Sequence, residues 1–166
     1  CIRDRLNAAL ETGLPVWVGL SCCDSKFDNS VIGRNFRAEK EKSLIYDENK
    51  YRDQPKYLPE DKIILLEDII KSLTSLGGDV YGIMHTWFQD SIGGLKILKN
   101  NWKGPIMFYP EIHKFDTNTH KAIITMTEEE FSNSILELID DQIQIVGGCC
   151  GVNDKHLKRL IQSISE

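Results

Sequence analysis

Ile143-Gln144-Ile145-Val146-Gly147-Gly148-Cys149-Cys150-Gly151 runs from a short apolar stretch into a glycine-rich turn carrying two adjacent thiols. An amphipathic run, His156 to Ile164, follows it. That order reads as strand, turn, helix, and it puts both sulfurs where a strand ends. In α/β proteins ligands gather at that end of the sheet. Two glycines let the backbone bend and leave room beside the sulfurs. Neighbouring cysteines rarely bridge each other, because disulfide geometry suits residues placed further apart. As thiolates they can share one soft metal ion, with zinc the commonest choice. The same pattern also suits two small buried residues packed under a turn.

Upstream, the chain repeats the same unit. Thr127 and Glu130 make a capping box, opening a helix whose Phe131, Ile135, Leu138 and Ile139 face inward. Before it lies an irregular stretch, Ile112 to Met126, and before that a strand, Pro105 to Tyr109, ending at Pro110-Glu111. Asp90 to Leu98 reads as a helix, and Asp79 to Met84 as a strand with His85-Thr86 at its end. Leu58-Pro59-Glu60-Asp61 is a helix start, and Ile63, Leu66, Ile69, Ile70 and Leu73 mark its buried face up to Gly77-Gly78. Pro15 to Leu20 reads as a buried strand with Ser21, Cys22 and Cys23 at its end. A first helix, Cys1 to Leu10, stops at Gly13. Between Asp24 and Asp61 the pattern dissolves into a long loop or insertion, made locally basic by Arg34, Arg37, Lys40 and Lys42.

Four strands, each followed by a helix, predict an α/β fold of parallel βα units. Two geometries suit that alternation, an open doubly wound sheet or part of a closed barrel. No Gly-x-Gly-x-x-Gly and no Gly-x-x-x-x-Gly-Lys-Ser/Thr occurs, so dinucleotide and nucleotide-phosphate readings lack their fingerprints.

The 166 residues are 41% hydrophobic and 27% charged with a net charge of -5, which suits one globular domain, residues 1–166. Mild acidity without a basic, aromatic-laced stripe argues against nucleic acid as a partner. No apolar run approaches the roughly 20 residues that cross a bilayer, so no membrane partner is expected. Five cysteines, four of them in neighbouring pairs, do not make a secreted disulfide framework, and a reducing cytoplasm is the expected compartment. The chain opens inside a helix without a methionine, as a segment of something longer would.

Ile145-Val146-Gly147-Gly148-Cys149-Cys150-Gly151, with His156-Leu157 beyond it, resembles the closing strand of the homocysteine S-methyltransferase family. Pro15-Val16-Trp17-Val18 is similar to that family's Pro-Val-Trp strand. Gly82-Ile83-Met84-His85 stands where the family has Gly-Val-Asn-Cys, and Phe108-Tyr109-Pro110 where it has Val-Tyr-Pro-Asn-Ser-Gly. The four matches keep the family's order over nearly the whole chain, but span only the C-terminal half of its (β/α)8 TIM-type barrel.

The resemblance implies a zinc-dependent transfer of a methyl group to a small-molecule thiol such as homocysteine. It implies zinc held by Cys149 and Cys150, with His85 in place of the family's third cysteine. A Cys2His set with an open fourth position is sound for a catalytic site. One imidazole in place of a thiolate makes the site one unit less negative, so a substrate sulfur is held more tightly and is less nucleophilic. Glu111 replaces the family's asparagine and is a candidate for meeting a substrate amino group. His113, His120, Cys22 and Cys23 are lesser candidates, expected at the surface or packed. Four strands cannot close a barrel that needs eight. Self-association or a missing N-terminal half is therefore expected, and the chain alone should not complete a methyl transfer. The competing expectation is a non-catalytic α/β binding or assembly domain with structural thiols.

Overall fold

The computed structural model describes residues 2–24, 31–33, 64–116 and 121–165. The basic positions Arg34, Arg37, Lys40 and Lys42, the helix start at 58–61, Ile63 and His120 lie outside the described residues. Helix α1 (Ile2–Leu10) leads to β1 (Trp17–Leu20), and β2 (Cys22–Asp24) pairs antiparallel with β3 (Val31–Gly33). Then follow α2 (Leu66–Thr74), β4 (Val80–Trp87), α3 (Phe88–Asn101) and β5 (Ile106–Glu111). A second antiparallel hairpin, β6 (His113–Asp116) and β7 (Lys121–Ile124), precedes α4 (Glu128–Leu136), β8 (Ile143–Val146) and α5 (Asp154–Ser165).

The main sheet has the order β1-β4-β5-β8, and every pairing in it is parallel. The strands therefore lie in chain order with no reversal. A doubly wound sheet needs a reversal at its switch point, and these strands have none. Because all four strands run the same way, their C-terminal ends form one rim.

Helices cover one face of this sheet. Val18, Leu20, Tyr81, Ile83, Ile106, Phe108 and Ile143 meet Leu66, Ile70, Leu73, Leu95, Leu98, Phe131, Ile135 and Leu160 in a single core. Phe88 packs edge-on against both Phe108 and Phe131. The other face is open at β1: Trp17 is 55% exposed while Val18 and Leu20 are buried. The apolar run at 15–20 is thus not the fully buried strand that its composition predicts. It is an edge strand, alternately covered and bare. Parallel sheets are ordinarily covered on both faces.

Four further boundaries differ from the reading of the sequence. The stretch 112–126 is mostly a hairpin rather than irregular, and Cys22–Asp24 belongs to a strand. Helix α2 begins at Leu66, after Leu65 in an extended conformation. Strand β4 continues through His85 and Thr86 instead of stopping before them. The capping box at Thr127 is present in full: its hydroxyl accepts from Glu130 N–H at 3.2 Å, and the Glu130 carboxylate accepts from Thr127 N–H at 2.8 Å. Among the described residues no helix is long and apolar enough to cross a membrane.

Candidate metal centre

His85 is placed by an irregularity in β4. Met84 pairs with Tyr109 and Trp87 with Glu111, so three steps along β4 oppose two along β5. The extra residue is a β-bulge, a device that re-aims side chains at the rims of sheets. Within it His85 has φ +50°, the one positive φ at a non-glycine among the described residues. Such a conformation costs an ordinary side chain about 1–2 kcal/mol and persists only where neighbours impose it. Thr86 is one such neighbour. Fully buried, its hydroxyl donates to Met84 O at 3.0 Å and accepts from Cys22 N–H at 3.0 Å. It thereby ties the bulge to β2.

The thiols are placed by a ladder of backbone bonds that carries the turn past the end of β5. Gly147 N–H donates to Phe108 O at 3.2 Å, Cys149 N–H to Pro110 O at 3.0 Å, and Ile112 N–H to Cys150 O at 2.9 Å. The glycines do something other than leave space. A Cβ on Gly147 would lie 2.6 Å from the Tyr109 ring, and one on Gly148 would lie 2.1 Å from the Val152 side chain. Both sites are already filled by neighbours. Gly151, at φ +90°, makes the sharp exit toward α5 and sits against the His113 backbone.

These two devices bring His85, Cys149 and Cys150 together at the rim, their ligand atoms all within 4.8 Å of one another. Cys149 Sγ is 3.1 Å from His85 Nδ1 and 3.8 Å from Cys150 Sγ. Neither thiol is in a disulfide. Tetrahedral zinc, with bonds of about 2.3 Å to sulfur and about 2.0–2.1 Å to nitrogen, sets its ligands roughly 3.8 Å apart for two sulfurs and roughly 3.6 Å for sulfur and nitrogen. The sulfur pair already has that spacing, and the imidazole needs only a small withdrawal. The donor set therefore fits zinc. Burial pushes the Cys150 thiol up to about 11, with Cys149 and Glu111 beside it adding to the rise. Without a cation that thiol keeps its proton at neutral pH, so taking up a metal would release it.

Glu111, at the end of β5, is half-buried beside Cys150 and so lies at this rim. His113, expected as a surface histidine, instead groups with Glu111 and Cys150 within 4.8 Å. Cys22 is buried against α3, where a Cβ on Gly94 would lie 2.5 Å from its sulfur. Neither Cys22 nor Cys23 joins a ligand cluster among the described residues. His156 is a core histidine: 2% exposed, it stands edge-on to Phe131, with Nδ1 2.9 Å from Asn153 Oδ1 and Nε2 3.3 Å from Met126 O. Thr86 is the residue that sequence reasoning passed over. A hydroxyl next to a strand-end histidine was the only available signal.

The family model for homocysteine S-methyltransferase matches residues 65–164, more than half of the chain. The chain belongs to the homocysteine S-methyltransferase family. The matched segment runs from just before α2 through most of α5, so it contains the β4 bulge, the end of β5 and the thiol turn of this methyltransferase-family chain. Strand β1 and the Pro-Val-Trp run that leads into it lie outside the match. No curated protein matches the chain.

Proposed function

We propose that this methyltransferase-family chain provides the zinc- and thiol-binding rim for methyl transfer to a small thiol such as homocysteine. The observation that carries the proposal is the convergence of His85, Cys149 and Cys150 from two separate strand ends. Zinc held by these three residues would supply a Lewis acid that lowers the pKa of a substrate thiol to neutrality. In the overall reaction the substrate sulfur gives up its proton and uses a lone pair to form the new S–CH3 bond. The bond from that methyl to its donor breaks, and the donor leaves with the electron pair. Glu111, a carboxylate at the same rim, is the candidate partner for the substrate ammonium group.

The sheet is read as four neighbouring staves of a (β/α)8 barrel. Chain-order strands and the bare Trp17 face support this reading. The whole of 1–166 then forms one half-barrel domain, and a further half supplies the remaining walls and the methyl-donor site.

The test is metal content and thiol binding. Protein purified without chelator should carry zinc, and the ion held by His85, Cys149 and Cys150 should be lost from Cys149→Ser and bound at least tenfold more weakly in His85→Ala. Cobalt substituted at the site should change its visible spectrum on addition of homocysteine and not of methionine. A chain that binds no zinc, or whose cobalt spectrum ignores homocysteine, overturns the proposal.

A further inference from the structure

Beside the His85 set stands a second group of metal-binding side chains. Glu111, His113 and Cys150 each offer a ligand atom, and these atoms all lie within 4.8 Å of one another. Cys150 is common to both groups. The second group is built into the fold. Ile112, between Glu111 and His113, is fully buried, and its N–H is bonded to Cys150 O at 2.9 Å. Its carbonyl accepts from both the N–H and the hydroxyl of Thr125, each at 2.8 Å. An extended chain turns the two neighbours of a buried residue to one side, so anchoring Ile112 sets Glu111 and His113 on the same side, against Cys150. Gly151 packs on the His113 backbone from the other direction.

His113 Nδ1 supplies an independent observation. It is buried and has no hydrogen-bond partner among the described residues. Buried polar atoms are nearly always paired, and one left bare costs about 1–3 kcal/mol. An imidazole nitrogen beside a carboxylate and a thiol is a mixed N, O, S donor set, and zinc accepts all three donor types. A thiolate has lone pairs enough to serve two ions, and paired metal sites elsewhere hold their ions about 3.5–4 Å apart.

We infer that Glu111, His113 and Cys150 form a second divalent-cation site, with the Cys150 sulfur shared between it and the His85–Cys149 side. The centre thus holds two zinc ions and not one. The second ion has three protein ligands and an open position. It meets the first reading at two points: it shares the Cys150 sulfur, and it takes Glu111 as a metal ligand in place of its role toward the substrate ammonium group.

The experiment is equilibrium dialysis of the full chain, kept reduced, against zinc, with bound metal counted by elemental analysis. The wild type, His85→Ala and the double variant Glu111→Gln/His113→Ala are compared, each checked for fold by circular dichroism. Glu111→Gln/His113→Gln replaces the double variant if the alanine form fails to fold. The expected result is two ions in the wild type and one in each variant. One ion kept by His85→Ala and lost from the double variant also supports the second site, while contradicting the proposed function. One ion lost from His85→Ala and kept by the double variant overturns the inference and leaves the proposed function standing. One ion lost from both means a single ion served by both groups, and overturns it. Two ions in every variant would put the second elsewhere and overturn it. No ion at all overturns both readings.

Discussion

At the scale of single residues, the site rests on one conformation that no side chain chooses freely. His85 holds φ +50° because the bulge and Thr86 impose it. Two substitutions separate ligand from backbone. His85→Gly and His85→Ala both remove the imidazole, but only glycine accepts that φ without strain, so the glycine variant should be the more stable by about 1 kcal/mol; denaturant unfolding of the metal-free proteins checks this. His85→Cys restores the three-thiolate pattern of the family and should bind zinc at least as tightly as the wild type, read by competition with a chromophoric chelator. Thr86→Val keeps the shape but leaves a buried Cys22 N–H without its acceptor, at a cost of about 1–3 kcal/mol; Thr86→Ser should recover most of that. The sequence made His85 visible only through resemblance. A bulge is a property of two strands in register, and no single strand announces it. His113 was illegible for a related reason: its burial exists only once the hairpin folds back beside the thiol turn.

At the scale of elements, local chemistry was legible and pairing was not. Thr127 and Glu130 are three residues apart, so their reciprocal bonds could be read directly, and the structure has them. Thr127→Ala should cost about 1 kcal/mol. The Glu130 carboxyl is held below its ordinary value of 4.5, first by Thr127 N–H and then by the Thr127 hydroxyl. A depressed folded-state pKa stabilises the fold above the unfolded value and loses that contribution as pH falls through the folded one. Unfolding measured between pH 7 and pH 3 should therefore show a smaller acid loss in Glu130→Gln than in the wild type. The second hairpin was missed because β7 lacks a buried face to set a period of two. All four residues of β7 are exposed, so Lys121-Ala122-Ile123-Ile124 carries no alternation to detect. Strand β8 had both its apolar run and its glycine stop, and its bounds were read correctly from Ile143 to Val146.

At the scale of the molecule, the parallel order of strands was legible from the alternation of strands and helices, while the cover on each face was not. An apolar run promises burial without saying what does the burying. Trp17 is the case in point, a large aromatic left bare on the edge strand. In a half-barrel this surface should find a partner, so light scattering on the isolated chain should give a mass above one chain. Trp17→Glu should return it to a monomer, and a monomeric wild type would contradict that expectation. The account as a whole stands on the meeting of two strand ends at one ion. X-ray absorption at the zinc edge, on the Glu111→Gln/His113→Ala variant loaded with one equivalent, tests that meeting most directly. The account predicts two sulfurs at about 2.3 Å and an imidazole nitrogen at about 2.0–2.1 Å. A coordination shell without sulfur, or with two sulfurs and no imidazole, would contradict it.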